Sequence, residues 1–292
     1  QRSLVGSEMC IRDSNKRGKC AFLRDDDLCD MYIHMGEDSL CTTCREYPRH
    51  TEEFENLREI TLSLSCPEVA KIVMNTTEPI TFVTKEDETD ECYEEFDYFL
   101  FSELEDVREE MIRIMQDRNV NLRDRIDKIL QISVSVQRHY DAGSLISWNE
   151  FEESDRVCVE NEYELFERLF LFLFEEFEIL YPQWAEVLVE SRLFLFGEGK
   201  KVFEQNKEEF ETWWNTSNLT PLDIVLEQLV VYFISVYLLG AVYDENILGK
   251  VDACIGHTIE IYLLLLGRWL KHGELAMDDV IEVVYRYSRE IE

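Results

Sequence analysis

Four cysteines lie close together near the start of the chain, at Cys20, Cys29, Cys41 and Cys44. Their spacing is Cys20-x8-Cys29-x11-Cys41-x2-Cys44, so four thiols fall within 25 residues. Thiolates bind soft or borderline cations, and both zinc sites and iron–sulfur clusters are typically held by four converging ligands. Because two residues between Cys41 and Cys44 let both sulfurs face one ion, the four cysteines are predicted to bind a metal or a cluster rather than form disulfides.

One more cysteine and two histidines extend the set of candidate ligands. Cys66 precedes Pro67, and this pair is similar to the Cys-Pro that ends the cysteine run of bacterial ferredoxins. His34 and His50 lie among the cysteines and could complete a site in which one cysteine does not bind. Unliganded buried thiols remain the alternative, because cysteine is often buried as a small apolar residue. Three cysteines in the rest of the chain are predicted to be core residues: Cys92, Cys158 and Cys254.

Two arginines follow the Cys-x-x-Cys pair in an otherwise acidic chain. Arg45 and Arg49 could neutralise a negatively charged thiolate cluster or bind an anionic group of a cofactor, such as a carboxylate. Ordinary ion pairs with neighbouring glutamates are the alternative. We therefore include both arginines as candidate cofactor-binding residues.

The overall charge restricts the classes of partner. The chain of 292 residues has 62 acidic and 29 basic residues, which gives a formal net charge of −33. Nucleic acids and anionic membrane surfaces bind through clustered Lys and Arg, so neither is expected as a partner. A basic protein partner is compatible with this charge, and so is a simple solvated acidic surface.

No secretory signal or membrane span is predicted. The first 14 residues have no apolar core and resemble a translated sequencing adaptor, so residues 1–14 are left out of the fold prediction. The apolar run Leu229–Tyr243 is 15 residues long, whereas a bilayer span needs about 20. We therefore expect a cytoplasmic protein.

The remaining sequence predicts a mainly α fold, in which a helical bundle-like body carries a small cysteine-rich N-terminal lobe. The lobe is predicted over residues 15–84 and the all-helical domain over residues 92–292, with a charged linker at Lys85–Glu91. Glu59–Ser65 alternates polar and apolar residues and predicts a short strand. A helix is predicted to start at Cys66-Pro67, with Val69, Ile72 and Val73 on one face.

Helical periodicity and capping residues predict the elements of the larger domain. Asn121 is expected to cap the start of one helix, and Thr220-Pro221 to begin a long helix. Tyr181-Pro182 is expected to break the helical pattern, because proline disrupts the interior of a helix. The predicted helices are Tyr98–Gln116, Asn121–Tyr140, Glu162–Leu180, Lys200–Trp214, Thr220–Tyr243, Asn246–Lys271 and Met277–Glu292. His257 lies among apolar residues in one of them and is predicted to be a hydrogen-bonded core residue.

Two stretches of the sequence resemble the bacterial flagellin lysine-N-methylase family. The first is Cys20-Ala21-Phe22-Leu23 followed by Leu28-Cys29, Gly36-Glu37, Leu40-Cys41-Thr42-Thr43-Cys44-Arg45-Glu46-Tyr47-Pro48-Arg49 and Leu62-Ser63-Leu64-Ser65-Cys66-Pro67-Glu68. The second, at the C-terminal end, comprises Val231–Asp244 and Tyr287–Glu292. Members of the family usually carry a further cysteine cluster upstream of Cys20, and the chain stops at Tyr287–Glu292 inside a helical pattern with no cap. We therefore expect this chain to be a fragment at both ends.

The resemblance implies an enzyme that transfers methyl groups to the ε-amino groups of lysines on flagellin. It also implies an iron–sulfur cluster bound by the cysteines, of the 4Fe-4S type, and S-adenosylmethionine as the methyl donor. Where the family tends to have an arginine-containing aromatic motif, this chain has Phe233–Tyr237. Zinc is the alternative metal.

Lysine methylation makes specific demands on a protein. The amine must be neutral, because an ammonium has no lone pair to attack the methyl group. Apolar and aromatic surroundings lower the pKa of a lysine, and a nearby carboxylate can take its proton. The acidic surface would attract lysine-rich segments of a substrate. A metal-stabilised interaction module and a redox protein that transfers no methyl group are the alternatives.

Overall fold

The structure is a computed structural model that describes residues 20–26, 28–54, 57–86, 97–144, 161–175 and 182–291. The chain divides into two compact units. The first takes in the chain through Glu52 together with Arg58–Ser63, and the second takes in Glu53–Leu57 and Leu64–Glu292. The predicted domain boundaries at residues 84 and 92 stay a prediction.

Short elements make up the first unit. Helix α1 is Asp30–Met35, a 3-10 turn follows at Glu37–Ser39, and helix α2 is Thr42–Glu46. Neither helix has a buried residue. The chain between α1 and the 3-10 turn reverses at Gly36, whose φ of 79° is a conformation that favours glycine.

A two-stranded sheet follows the short helices. Strand β1 is Arg49–Phe54 and strand β2 is Leu57–Leu62. The predicted strand at Glu59–Ser65 is therefore confirmed in part, since β2 begins two residues earlier and ends three residues earlier. Strand β1 was not predicted, because its sequence of mostly charged residues lacks an apolar alternation.

The second unit is helical, and the predicted mainly α fold is confirmed. Helix α3, Pro67–Asn75, begins at the predicted proline. The other helices are α4 (Tyr98–Met115), α5 (Leu122–Asp141), α6 (Glu162–Glu175), α7 (Pro182–Phe196), α8 (Lys200–Thr216), α9 (Leu222–Tyr237), α10 (Ala241–Asp244), α11 (Ile247–His272) and α12 (Met277–Ile291).

Helix α11 is the centre of the second unit. It is 26 residues long and packs against α5, α6, α7, α8, α9 and α12. Residues on all of its sides are buried, including the run Glu260–Gly267. A helix that is apolar all round is one that lies inside a core, and α11 has this role here.

Two stretches are long and apolar enough to cross a membrane by length and composition, namely Leu222–Asp244 and Ile247–His272. Inside the fold, 72% and 61% of their most apolar windows are buried. Core helices of a folded domain have the same composition, so these stretches by themselves are weak evidence for a membrane span. The expected absence of a membrane partner stays a prediction.

Polar contacts connect the segment before α4 to the helices of the second unit. The Leu64 backbone N–H donates to the Tyr232 hydroxyl at 3.1 Å, and Arg289 Nε donates to the Ser65 carbonyl at 2.9 Å. Gln228 donates its amide hydrogens to the carbonyls of Thr76 and Glu78. Residues 64–80 are thus held against α9 and α12 by buried or half-buried hydrogen bonds.

The predicted helix cap at Asn121 is confirmed, and Asn246, the first residue of another predicted helix, makes a cap contact as well. The Asn121 side chain accepts a hydrogen bond from the Asp124 backbone N–H, and Asn246 accepts one from the Gly249 N–H. Both are N-cap contacts, which satisfy backbone donors at the first turn. Just past the end of α5, Gly143 has a φ of 61°, a left-handed conformation that often terminates a helix.

Other local predictions were wrong. The Thr220 hydroxyl donates to the Met74 carbonyl at 3.0 Å instead of capping α9. Ile72 is exposed, and α3 is buried through Val69, Ala70 and Met74. The helix predicted to reach Tyr243 ends at Tyr237 and continues as a 3-10 turn at Leu238–Gly240 before α10.

Helix α7 was not predicted as a helix. It has large apolar residues on both its buried and its exposed sides, so no single apolar stripe marks it in the sequence. Some predictions concern parts of the chain outside the described residues: the adaptor-like segment 1–14, the linker after residue 86, the end of the Glu162–Leu180 helix, and the core positions of Cys92 and Cys158.

Candidate functional site

The Cys-x-x-Cys pair lies at the start of α2. Cys41 has extended backbone angles and occupies the N-cap position, and Cys44 is in the first turn of the helix. Both side chains are exposed. This local geometry directs the two thiols toward each other, since Cys44 hydrogen-bonds Cys41 through both its backbone N–H and its side chain.

These contacts make Cys41 more acidic than an ordinary thiol. The backbone N–H of Cys44 lowers the pKa of Cys41 most, and the Cys44 thiol lowers it further. Hydrogen bonds to a thiolate favour the charged form, which is the form that binds metals and reacts as a nucleophile. The pair is therefore suited to provide two thiolate ligands.

The other predicted cysteine ligands occupy separate local structures. Cys29 pairs with Leu23 in an isolated antiparallel bridge and precedes α1 as its N-cap residue. Cys20 lies just before this bridge and is exposed. Cys66 belongs to the second unit, where it is the N-cap residue of α3 and packs, half-buried, against the core.

An iron–sulfur cluster or a structural zinc ion needs four ligands that converge on one point. Among the described residues, no group of three or more His, Cys, Asp or Glu side chains is placed to hold a metal ion. Within the described residues, Cys41 and Cys44 are therefore a pair of thiols without a third ligand grouped beside them. The described residues do not fit a complete cluster, and we derive no chemical step through one.

The predicted arginines and histidines of the first unit have local contacts. Arg49 donates a hydrogen bond to the Arg45 carbonyl oxygen at 3.2 Å. His50 pairs with Glu52 at 2.8 Å, and His34 with a carboxylate one turn earlier in α1. A role of Arg45 and Arg49 in cofactor binding stays a prediction.

A second group of reactive side chains lies inside the helical unit. His257 and Glu260 are one turn apart on α11, and Tyr287 reaches them from α12. The Tyr287 hydroxyl donates a hydrogen bond to Glu260 Oε2, and His257 Nδ1 lies 2.7 Å from the same hydroxyl. Three groups that can exchange protons are therefore connected within hydrogen-bonding distance.

Burial differs between the three members. Glu260 and Tyr287 are buried, whereas 17% of the His257 side chain is exposed. Burial raises the pKa of Tyr287 well above its ordinary value, and the neighbouring charge of Glu260 raises it further. The phenol therefore stays protonated and remains a hydrogen-bond donor at neutral pH.

Aromatic rings surround the imidazole. The ring centroids of Phe233, Tyr237 and Tyr287 lie 5.4, 6.4 and 5.9 Å from that of His257. Phe233 and Tyr237 also stack on each other along α9, with centroids 6.1 Å apart. The surroundings of His257 thus combine aromatic faces with a buried carboxylate.

A different buried cluster joins α5 to α9. Glu227 accepts hydrogen bonds from Arg125, at 2.6 Å, and from Arg118, at 2.8 Å. Arg118 also donates to the Thr77 carbonyl, and Arg125 to the Met115 carbonyl. Because both arginines satisfy a buried carboxylate and helix-end carbonyls, this cluster has a structural role.

An open hollow of about 270 Å³ lies beside this cluster. Arg113, Arg125 and Lys128 line it together with two aspartates. Ligand pockets usually enclose about 300–1,000 Å³ and are mostly apolar. The hollow is small and open, and we do not assign it as the pocket of a methyl donor.

Residues 108–292 match the family model described as the FliB lysine N-methylase C-terminal domain. The chain belongs to this family. The match covers α5 to α12 and the second half of α4, so the His257–Glu260–Tyr287 cluster lies entirely within it. The cysteine pair Cys41 and Cys44 lies outside the matched range.

Curated relatives match a shorter part of the chain. The flagellar biosynthetic protein FliU of Salmonella muenchen is 36% identical over 58 residues, which cover 20% of this chain and 34% of the relative. The lysine-N-methylases of Salmonella typhimurium and Salmonella choleraesuis are also 36% identical over 58 residues, which cover 14% of their length. The chain thus spans about a third or less of these relatives. No solved structure matches it significantly.

The sequence prediction that His257 is a hydrogen-bonded core residue is confirmed in its contacts, as is the burial of Cys254. The sequence analysis did not identify Glu260 and Tyr287 as the partners of His257. Glu260 and Tyr287 follow it at distances of 3 and 30 residues, and only the first spacing is visible as a helical turn. A buried glutamate in an apolar helix was the available signal, because Glu is rarely buried without a partner.

Proposed function

We propose that this protein is a lysine N-methyltransferase that transfers methyl groups from S-adenosylmethionine to the ε-amino groups of flagellin lysines. The observation that carries the proposal is the match of residues 108–292 to the FliB lysine N-methylase C-terminal domain. Two of the relatives are named lysine-N-methylase and a third is named a flagellar biosynthetic protein. A cytoplasmic location goes with this proposal.

The charge of the chain supports a lysine-rich protein substrate. With a formal net charge of −33, the surface favours approach of basic segments through long-range attraction. Opposite charges at an interface mainly raise the rate of association, and salt screens them. Association with flagellin is therefore expected to weaken as ionic strength rises.

The proposal also gives the cysteines a role as ligands of a metal or cluster. We infer that Cys41 and Cys44 supply two ligands of an iron–sulfur cluster of the 4Fe-4S type, with zinc as the alternative metal for the same pair. Their mutual hydrogen bonds and the lowered pKa of Cys41 support metal binding. Cys20, Cys29 and Cys66 stay sequence predictions for the other ligands, since the described residues group no third ligand with this pair.

The proposed activity is tested by incubating the full chain with flagellin and S-adenosylmethionine that carries a labelled methyl group. Label is expected on flagellin, and flagellin whose lysines have been acetylated beforehand should acquire none. Absence of label on untreated flagellin, with folded and metal-loaded protein, would rule the activity out.

Metal content tests the role of the cysteine pair separately. Iron, sulfide and zinc are measured in the purified chain and in the Cys41→Ala and Cys44→Ala variants. We expect iron with sulfide in the unmodified chain and a loss of most of it in both variants, whereas Thr43→Ala serves as a matched control. Unchanged metal content in both cysteine variants would exclude this pair as ligands.

A further inference from the structure

The Cys41 and Cys44 thiols can also take part in chemistry that needs two sulfurs and no metal. A cluster or a structural zinc ion takes four ligands, whereas thiol–disulfide exchange takes two cysteines that can reach each other. Within the part of the chain that the structure describes, no third metal-ligating side chain is grouped with this pair. The two thiols therefore meet the requirement of exchange without any further residue.

The fold of α2 holds both thiols in one helical turn. The Cys41 carbonyl accepts a hydrogen bond from the Arg45 backbone N–H at 3.1 Å, which closes the turn over residues 41–45. In such a turn, Cα atoms three residues apart are separated by about 5 Å, and disulfides usually join Cα atoms about 4.4–6.8 Å apart. Because the two side chains are also hydrogen-bonded to each other, a disulfide can form here with little movement of the backbone.

Both thiols are open to reactants in solution. Cys41 and Cys44 are exposed, whereas Cys66 is half-buried and Cys254 is buried. A disulfide between residues three apart closes a very short loop and stabilises a fold little. Exposed disulfides of this kind are the ones that form and break readily, and in reducing compartments they serve redox sensing or catalysis. A reversible disulfide is therefore the form expected for this pair.

Two cations lie close to the pair in sequence and in the same turn or the next. Arg45 directly follows Cys44, and Arg49 donates a hydrogen bond to the Arg45 carbonyl at 3.2 Å. Among the described residues, neither guanidinium is paired with a carboxylate. In a chain with a net charge of −33, these two arginines favour the approach of a small anion to the sulfurs. Arginine binds carboxylates well, so an oxidant that carries carboxylates fits this place.

We propose that Cys41 and Cys44 are a redox-active dithiol, which an anionic low-molecular-weight disulfide such as oxidised glutathione converts to an intramolecular disulfide. One cysteine thiolate attacks a sulfur of the oxidant, so a mixed S–S bond forms and the S–S bond of the oxidant breaks, with its electron pair on the departing glutathione sulfur. The second cysteine sulfur then attacks the first, which forms the Cys41–Cys44 bond and releases the other glutathione thiolate. Two cysteine thiols are oxidised and one glutathione disulfide is reduced, and the two thiol protons pass to the departing thiolates.

Formation of the disulfide would remove both thiolates that the proposed function gives to a metal, because a disulfide sulfur is no longer a thiolate ligand. This consequence rests on the proposed function, whereas the disulfide itself requires neither methyl transfer nor a metal. The redox state of the pair would therefore determine whether its two sulfurs are available as ligands.

The test uses the full chain, freed of metal with a chelator, reduced, and then incubated in glutathione buffers that range from wholly reduced to wholly oxidised. Free thiols are blocked with iodoacetamide, and fragment-ion mass spectrometry identifies the state and partner of each cysteine. Cys41 and Cys44 are expected to lose one hydrogen each, to be joined to each other and to carry no glutathione, while the buried Cys254 stays reduced. Excess reduced glutathione should reverse the change.

Single variants test whether the two thiols act together. In Cys41→Ser or Cys44→Ser, the remaining cysteine is expected to retain one glutathione, since no second thiol releases it. Cys66→Ser is the matched control and should leave oxidation of the pair unchanged. The double variant Arg45→Gln/Arg49→Gln should slow the reaction with oxidised glutathione more than the reaction with the uncharged 2-hydroxyethyl disulfide. Equal effects on both oxidants would overturn the preference for an anionic oxidant.

Three results with the unmodified chain would overturn the inference: thiols that stay reduced in the wholly oxidised buffer, glutathione adducts in place of the internal bond, or a bond from either cysteine to a different one. Metal analysis of the purified chain separates these results from the proposed function. Bound metal together with a pair that does not form the disulfide would overturn this inference alone. A Cys41–Cys44 disulfide in a chain that binds no metal even when reduced would support it and overturn the metal role instead.

Discussion

Arg125 donates a hydrogen bond to Glu227 across 2.6 Å, and both side chains are almost entirely removed from solvent. The contact connects the start of α5 to the middle of α9. Taking a carboxylate and a guanidinium out of water is costly, and the cost is offset only if each keeps its partner. The pair therefore makes the packing of these two helices sensitive to the loss of either charge.

Replacing the buried carboxylate should destabilise the second unit strongly. Glu227→Gln leaves two arginines beside a neutral amide, and we expect the free energy of unfolding to fall by about 3–5 kcal/mol. Urea unfolding followed by circular dichroism measures the change. The control is Glu110→Gln, which breaks the more exposed pair with Arg113 and should cost about 1 kcal/mol or less. Equal losses in the two variants would contradict the structural role of Glu227.

The acidity of Cys41 should be measurable through its reaction with iodoacetamide in metal-free protein. Its pKa is lowered by the Cys44 backbone N–H and thiol, so the reactive thiolate forms at a lower pH than in an ordinary cysteine. Cys44→Ala removes the thiol contribution, and the reaction of Cys41 should then need a higher pH. Mass spectrometry of the labelled peptides gives the rates.

Cys254 is the internal control of that experiment. Burial raises the pKa of this thiol, and it should react only after denaturation. A pH profile of Cys41 that does not change in Cys44→Ala would show that the two thiols do not interact.

Close packing between α7 and α11 should make Gly267 intolerant of a side chain. A Cβ at this position would lie 3.0 Å from Cβ and Oγ of Ser191. Gly267→Ala is therefore expected to lower the free energy of unfolding by about 1–3 kcal/mol, the usual cost of overpacking. Thermal or urea unfolding provides the measurement.

Gly256 provides a matched comparison on the same helix. Among the described residues, a Cβ there would meet only the Leu169 side chain, at the ordinary distance of 3.8 Å. Gly256→Ala should raise stability by up to about 1 kcal/mol, because alanine favours helix. If both alanine variants behave alike, the close approach at Gly267 is refuted.

Stability at high pH should depend on the buried tyrosines. Burial raises the pKa of both Tyr287 and Tyr262. A group whose pKa is raised by folding stabilises the protein fully below its unfolded value, here about 10, and this contribution is lost as the pH rises further. The free energy of unfolding should thus decrease above about pH 10, with a shallower slope in Tyr287→Phe. Tyr98→Phe, at an exposed position, should keep the original slope, and a Tyr287→Phe slope equal to it would contradict the expectation.

The periodic part of the fold was predictable from sequence. Leu100, Leu104, Val107 and Met111 recur at helical spacing, and all four are buried in α4. Short-range capping was predictable for the same reason, since the Asn121 side chain needs only a partner three residues away. The thiol pair was predictable too, because Cys41 and Cys44 belong to a single turn.

Long-range polar contacts were not predictable in this way. Arg125 and Glu227 are 102 residues apart, and His257 and Tyr287 are 30 apart, so no local pattern connects them. Thr220 had the sequence of a cap, yet packing placed a carbonyl of α3 within its reach. Tertiary packing determined these partners, and a single sequence contains little information about it.

The methylation state of flagellin lysines tests the central claim most directly. Flagellin is co-expressed with the full chain in a host that has no flagellin lysine methylase of its own, and its lysine peptides are analysed by mass spectrometry. The account predicts methylated lysines that are absent when the chain is omitted. Unmethylated flagellin in the presence of the folded, metal-loaded chain would contradict it.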